Sequence, residues 1–546
     1  MSPLHVFALI CALGVVVGGS ALATVLFIHF KIWPYEILGE TRYGHLLAPR
    51  ELSWYSNEPA YRQGEPVTLQ TKFLDLQIDA FNRADPQQAL DGSLASYDQD
   101  HVLMVESEGR FFLLDVATLD EKRLDIDPPA FGLEQPIAAS KPDDLHITNR
   151  LHRITDVNLR GDTIYLAYSY FNADDACFTK RVARVTLPGA IWDVRIAAED
   201  WQVVAETEPC LPFTDHPVHP YAGHFSGGRM AIAADGTVFL AVGFFGYDKL
   251  TAYDAAQDAD GHYGKVLRID PASGAIEVLT LGHRNPRGIA FTDDGRFWLT
   301  EHGPDGGDEL NLLKEGNNYG WAVVTFGTEY GERNLPFNPY PGDHAGYTKP
   351  IFSWVPSIAT SGLVVARDLH PYWDDDLLVP TLKDRALHRI VVEDDRVVTT
   401  ERIVIGERIS AAIVHNGHII LFCRSGNMLR ITPQTPAQSP HLASIVAQLS
   451  PETQAVLKRC SMCHSRGHSE TAPNLCGVEG RRVASDSYAE YSVAIRSVGG
   501  IWDRARLDRF LLNTTSVYAN GAMPDQSISN ATVRREILDN LAYFCP

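Results

Sequence analysis

The sequence predicts an all-β propeller followed by a small all-α domain, with a membrane-spanning helix ahead of both. Three observations carry this reading. From about Leu69 to Thr432, short apolar runs recur between Gly-containing turns. The last part of the chain instead carries helix-length apolar patterns, and Pro3 to Phe30 contains no Asp, Glu, Lys or Arg.

At about 1.5 Å rise per residue, the Pro3 to Phe30 run is long enough to cross a bilayer, so residues 1–31 are expected to be a membrane anchor. The alternative is a secretory signal cleaved at Ala21-Leu22-Ala23. Against cleavage, no charged segment precedes the run, and it continues apolar from Val25 to Phe30. Residues 32–68 are expected to be an extension. Lys31, Arg42 and Arg50 follow the run, which by charge bias alone would place the body in the cytoplasm.

The body, residues 69–432, reads as hairpins. His101 to Val116 turns at Glu108-Gly109, Thr163 to Tyr170 follows Gly161-Asp162, and Val238 to Phe245 follows Asp235-Gly236. Phe297 to Thr300 follows Asp294-Gly295, and Ile419 to Arg424 follows Asn416-Gly417-His418. No long segment of 3.6-residue period interrupts them, which excludes an α/β fold and suits a propeller, with a pair of sandwiches as the alternative. Residues 433–450, with Pro433, Pro436 and Pro440, read as a linker.

Residues 451–546 hold Cys460-Ser461-Met462-Cys463-His464, the C-x-x-C-H pattern of a covalently attached c-type haem. Cys460 and Cys463 would take the two vinyl groups, and His464 the first axial position on iron. A chance zinc half-site would need a second ligand pair, and none lies nearby. Met523, in the Asn520-Gly521-Ala522-Met523-Pro524 loop, is the expected sixth ligand. It is one of only six methionines and sits in a loop rather than on an apolar stripe.

The order of pieces here resembles a class I cytochrome c. The resemblance rests on the loop Ala472 to Arg481, the runs Tyr491 to Ile495 and Leu507 to Leu512, the methionine loop, and a closing helix from Val533 to Phe544. It implies that the Pro473 carbonyl orients His464. It also places the body outside the bacterial cytoplasm, where such haems are attached, and this overrules the charge bias. Large domains translocate largely regardless of charge. In that oxidising compartment Cys177 with Cys210 and Cys476 with Cys545 are the expected disulfides, a pairing that spacing alone does not fix.

The chain has 546 residues, 45% of them hydrophobic, enough for a large domain beside the haem domain. Its formal charge of −21 and lack of a basic run exclude nucleic-acid binding that rests on phosphate neutralisation.

Local motifs in the body add a second resemblance. They are His224-Phe225-Ser226-Gly227-Gly228-Arg229, Gly282-His283-Arg284-Asn285-Pro286-Arg287-Gly288, Glu301-His302-Gly303-Pro304-Asp305-Gly306-Gly307-Asp308-Glu309, Asn318-Tyr319-Gly320-Trp321 and Val379-Pro380-Thr381-Leu382-Lys383. Their order resembles the soluble glucose dehydrogenase and aldose sugar dehydrogenase family. That family implies a six-bladed propeller carrying pyrroloquinoline quinone (PQQ) and calcium.

By this resemblance His224 is the general base, taking the substrate hydroxyl proton as hydride leaves for PQQ C5. Arg284 stabilises the developing oxyanion. Lys383 and Arg408 face the PQQ carboxylates, with Asn285 as a donor to the quinone, Ser357 near the carboxylates and Trp354 as an aromatic lid. The alternative for Trp354 is core packing. One calcium is expected on the Gly303 and Pro304 carbonyls, and a second on Asp308, Glu309 and the Tyr319 backbone, where the alternative is a solvated acidic loop.

Three positions depart from the family pattern: Ser410 where a second arginine is frequent, Arg287 where glutamine is usual, and Asp305 where an arginine or small polar residue is common. The expected function is oxidation of an aldose or related alcohol or aldehyde, with electrons passed through the haem to a respiratory cytochrome or oxidase. The protein would be periplasmic and anchored to the inner membrane. The alternative from another class is a propeller without turnover that binds a ligand or partner, joined to a relay or sensing cytochrome.

Overall fold

The computed structural model describes residues 59–71, 74–83, 91–132, 154–213, 223–248, 253–328, 342–393, 395–434, 448–464, 472–485, 491, 493–513 and 527–545. Six antiparallel sheets form the blades of a propeller. Their innermost strands are Gly92–Ser96, Ile154–Arg160, Gly227–Ile232, Pro286–Phe291, Val364–Val365 and Ile409–His415, in blades 1 to 6.

Each predicted hairpin forms the inner strands of a blade or their neighbours. His101–Glu106, Val238–Val242 and Phe297–Glu301 are second strands, covered on both faces by adjacent blades. That double covering explains why they read as unbroken apolar runs rather than as alternating ones. Six apolar clusters fill the six seams between neighbouring blades. In the seam between blades 2 and 3, Phe178 and Leu211 meet Leu240 and Tyr263.

The ring closes by hydrogen bonds. Blade 6 takes Ile409–His415, His418–Cys423 and Met428–Gln434 from the end of the propeller, then adds Asp75–Ala80 and Val67–Gln70 from its start, with Ile78 opposite Ile431. Joining both ends in one sheet leaves no open seam at which the ring could unzip. Tyr61 and Ala60, in the expected extension, already bond to Ile405 O and Glu407 Oε1. At the other end, pairing runs to Gln434, just inside the expected linker.

The C-terminal segment folds as α1 (Pro451–Cys463), α2 (Val493–Val498), α3 (Arg504–Leu512) and α4 (Ala531–Asp539), followed by a 3-10 turn over Leu541–Phe544. Ser450 caps α1 by accepting from Thr453 N, and Pro451 stands at the first helical position, where its missing N–H costs nothing. Leu457 of α1 packs with Val533 and Ile537 of α4 and with Phe544.

Both expected disulfides are formed, Cys177–Cys210 and Cys476–Cys545. The expected anchor, residues 1–31, lies outside the described residues. Among the described residues, no helix is long and apolar enough to cross a membrane.

Candidate active site at the mouth of the propeller channel

Blade topology gathers the predicted residues at one end of the ring. In an antiparallel blade, the start of the first strand and the end of the second lie side by side. His224, Arg284–Asn285 and Arg408 immediately precede the inner strands of blades 3, 4 and 6, while Gly303 and Lys383 follow the second strands of blades 4 and 5. Register confirms the neighbourhood: Pro286 faces Glu301, and Thr360 bridges Thr381.

The turn carrying His224 is tightly specified. Gly228 sits at φ 96°, and a Cβ there would lie 2.1 Å from Thr155 Oγ1 and 2.6 Å from Lys180 Nζ. Gly227 N donates to Asn285 Oδ1 at 3.3 Å, which links the histidine turn to the arginine motif. Arg284 is buried; its Nη1 donates to Gly303 O at 2.7 Å and to His302 O at 3.2 Å. Its backbone N–H donates to Glu301 Oε2 at 2.6 Å.

His302 donates through Nε2 to Thr360 O. Its pKa is pushed down to about 3, by burial first and then by the charges of Arg287, Arg284 and Arg424. The ring is therefore neutral, and its neighbours define a cationic mouth. Arg287, one of the departures, faces the channel, in a cavity of about 290 Å³ that Ser93, Asp156 and Arg229 also line.

Below the mouth, Arg229 closes the channel. Nη1 donates to Asp156 Oδ1 and to Ser93 Oγ, both at 3.2 Å, and Nη2 donates to Ser361 O at 3.0 Å and Ser410 O at 3.1 Å. Asp156 also accepts from Met230 N at 2.7 Å and Ser93 Oγ at 2.6 Å. One guanidinium thus ties blade 3 to the inner edges of blades 1, 2, 5 and 6. Sequence reasoning missed this hub, although Arg229 ends the motif that begins at His224.

Three predicted residues take places that change their reading. Asp308 is fully buried: Oδ1 accepts from Gly303 N at 3.0 Å, and Oδ2 accepts from Ser357 Oγ at 2.8 Å, Ile358 N at 2.9 Å and Ala359 N at 2.7 Å. Three of the four donors crowd onto Oδ2, and Oδ1 takes the fourth. Asp308 is a buried knot between two loops, which rules out the solvated acidic loop for this residue. Ser357 is one strand of that knot. Trp354 is only 7% exposed and packs with Leu310, Leu377 and Val379 in the seam between blades 4 and 5, which makes it a core ring rather than a lid.

Glu309 stands opposite Glu301 on the neighbouring strand, so two carboxylates are buried side by side. Asn311 Nδ2 donates to both, at 3.1 Å to Glu309 and 3.0 Å to Glu301, while its buried Oδ1 has no hydrogen-bond partner among the described residues. Burial, then the Glu301 charge, holds the Glu309 carboxyl well above the usual range. His283 Nδ1 donates to Glu301 Oε1 at 2.9 Å, and the ring stacks on Tyr319. Glu301 and His283 lie inside the quoted motifs, but neither they nor Asn311 were given a role from sequence.

At the haem motif, His464 is buried, and its Nδ1 is 2.7 Å from Pro473 O. A carbonyl only accepts, so Nδ1 carries the hydrogen and Nε2 keeps its lone pair for a metal. Burial first, and the Arg481 charge, hold this imidazole below the ordinary histidine range. Cys460 is half-buried near the end of α1, and Met523 lies outside the described residues.

The profile of the family described as Glucose / Sorbosone dehydrogenase matches residues 154–430, half of the chain. The chain belongs to the glucose/sorbosone dehydrogenase family. Similar proteins include the aldose sugar dehydrogenase YliI of Escherichia coli, 32% identical over 243 residues, covering 41% of this chain and 63% of the relative. The curated relatives that match the propeller are thus spanned over less than two thirds of their length, 66% in another case. The apo crystal structure of the soluble E. coli aldose sugar dehydrogenase superposes with a TM-score of 0.53 at 24% identity, over 66% of this chain and 100% of that one, and shows the shared fold. The C-terminal part is similar to a cytochrome c homolog of Rickettsia prowazekii, 31% identical over 147 residues, covering 24% of this chain and 75% of the relative. This member of the family is therefore a propeller fused to a cytochrome c.

The residues present fit the groups that the two families imply. PQQ is a tricarboxylate, and the mouth of the propeller gathers Arg284, Arg287 and Arg424 around one neutral imidazole. For calcium the fit is narrower. Gly303 O already accepts from Arg284, so a cation there would share its ligand with a guanidinium, whereas Glu309 lies beside Glu301 and an unpartnered amide oxygen. For haem, the His464–Pro473 bond presents the required nitrogen.

Proposed function

We propose that the chain is a membrane-anchored periplasmic quinohaemoprotein dehydrogenase. It oxidises an aldose sugar or a related alcohol or aldehyde with PQQ and passes electrons through covalent haem c to a respiratory acceptor. The observation that carries this reading is the convergence of His224, Arg284, Asn285, Lys383 and Arg408 on one channel mouth, in a chain that also holds His464 against Pro473.

When bound, PQQ supplies the two-electron acceptor for the substrate's hydride. Lys383 and Arg408, with Arg287 where the family's second arginine is missing, hold its carboxylates, and Asn285 orients its quinone edge. His224 takes the substrate hydroxyl proton on its imidazole. Arg284 presents a fixed positive charge to the oxygen on which negative charge develops. The Arg229 floor keeps water from entering through the channel. Calcium is assigned to the Gly303 and Pro304 carbonyls, which would polarise the acceptor, and to Glu309 with the Tyr319 backbone, where it would neutralise the Glu301–Glu309 pair.

His464 and Met523 would ligate the haem iron, and Cys460 and Cys463 would hold the porphyrin. A carrier tethered by a short flexible linker meets its donor at an effective concentration of about millimolar, without affinity of its own.

Full-length, haem-loaded protein reconstituted with PQQ and calcium tests the reading. Adding aldoses, alcohols and aldehydes should raise the reduced-haem α band. No haem reduction by any substrate, together with no saturable uptake of PQQ, would leave the ligand-binding alternative in its place.

A further inference from the structure

The Arg284 guanidinium lies within a ring of aromatic faces. Its central carbon is 4.8 Å from the Phe225 ring centre, 5.1 Å from that of Trp321 and 5.8 Å from that of Phe244. The rings also touch one another, Phe225 to Phe244 at 5.1 Å and Phe244 to Trp321 at 5.5 Å between centroids. Only 7% of Arg284 is exposed.

Each ring comes from a different segment, and each segment is tied to the arginine motif by its backbone. Phe244 N donates to Arg284 O at 3.0 Å, Trp321 N donates to Gly282 O at 2.9 Å, and the Phe225 turn reaches Asn285 through Gly227 N. Phe225 is itself held at φ 55°, a region that a bulky side chain seldom adopts. Phe245 N donates to its carbonyl at 3.1 Å, and Gly243 lies so close that a Cβ there would be 1.9 Å from the same oxygen. The surrounding structure over-determines this conformation, as it does where a side chain must be aimed.

We propose that Phe225, Phe244 and Trp321 form a cation–π box that positions Arg284. The ring faces replace water around a guanidinium that stays charged, and the two carbonyl bonds to His302 and Gly303 set its rotation. The result is a cation fixed before substrate arrives, with little water to reorganise when negative charge develops. The three aromatics are positioning residues. The proposal rests on reading Arg284 as the group that stabilises the oxyanion.

The test separates the box from that reading. In full-length, haem-loaded protein before PQQ is added, phenylglyoxal labelling of Arg284 is followed by peptide mass spectrometry. Trp321→Leu and Phe225→Leu, which keep apolar bulk but lose the ring face, should raise the Arg284 labelling rate about tenfold, whereas Trp321→Phe should restore slow labelling. An unchanged rate in both leucine variants, or fast labelling in Trp321→Phe, overturns the box. Should one leucine variant fail to fold, as judged by its melting curve, Phe244→Leu takes its place. After PQQ and calcium are added, the leucine variants should lose kcat about tenfold with little change in KM, and Trp321→Phe should recover most of it. Labelling that follows the box while turnover does not upholds the box and removes the role given to Arg284.

Discussion

Replacing Arg229 by alanine should destabilise the propeller more than any surface change. Four hydrogen bonds leave with the side chain, and Asp156, only 6% exposed, loses its charge partner. Stranding one member of a buried pair costs about 3–5 kcal/mol. The propeller runs from Val67 to Gln434, roughly 370 residues. At about 2.1 cal/mol/K of unfolding entropy per residue, each kcal/mol moves Tm by about 1.3 °C, so the expected drop is about 4–6.5 °C. Tryptophan fluorescence follows the melt in haem-loaded protein, where the propeller carries most of the indoles. The double variant Arg229→Met with Asp156→Leu removes both charges and should recover part of the loss, since well-packed apolar pairs often match a buried ion pair. A single variant melting within about 1 °C of the parent, or a double variant no more stable than the single, would refute the claim that one ion pair pins five blades.

Gly228→Ala should cost about 2 kcal/mol or more, because the new methyl meets Thr155 Oγ1 at 2.1 Å on a backbone at φ 96°; a melt unchanged from the parent would show that the turn relaxes freely. Asp308→Asn should lower the melting temperature equally with and without a calcium chelator, since Asp308 serves backbone and hydroxyl donors; an effect confined to calcium-loaded protein would restore a ligand role. For His302 the folded pKa of about 3 lies below the ordinary value, so between the two only the unfolded chain binds the proton. Its stability contribution is complete above the ordinary histidine pKa of about 6.5 and is lost as pH falls towards 3. His302→Gln should therefore flatten the acid limb of Tm against pH by up to one proton's slope, and an identical limb would deny that this ring resists protonation.

What could be read without coordinates was local. Apolar runs separated by Gly turns encode hairpins because side-chain alternation and turn geometry act over a few residues, and the second strands of the blades fell where those runs lie. The C-x-x-C-H run likewise holds its whole chemistry within one helical turn, and the family order around it was enough to expect Pro473 behind His464. The sugar dehydrogenase motifs singled out His224, Arg284, Asn285, Lys383 and Arg408, each of which stands near a strand end, and antiparallel blades bring such ends together at one mouth.

The tertiary structure alone decided matters that depend on partners far apart in the chain. Arg229 binds Ser93 and Ser410, separated from it by 136 and 181 residues, and no short pattern in the sequence announces either bond. The family resemblance suggested that Asp308 was a ligand, but nothing in it announced that Oδ2 accepts from a loop 49 to 51 residues downstream. Trp354 could have been lid or core until the neighbouring blade covered it. Residue identity declares what a side chain can bond to. Which bond it makes depends on the donors and rings that folding brings within about 3–6 Å of it, and for these residues those came from other blades or distant loops.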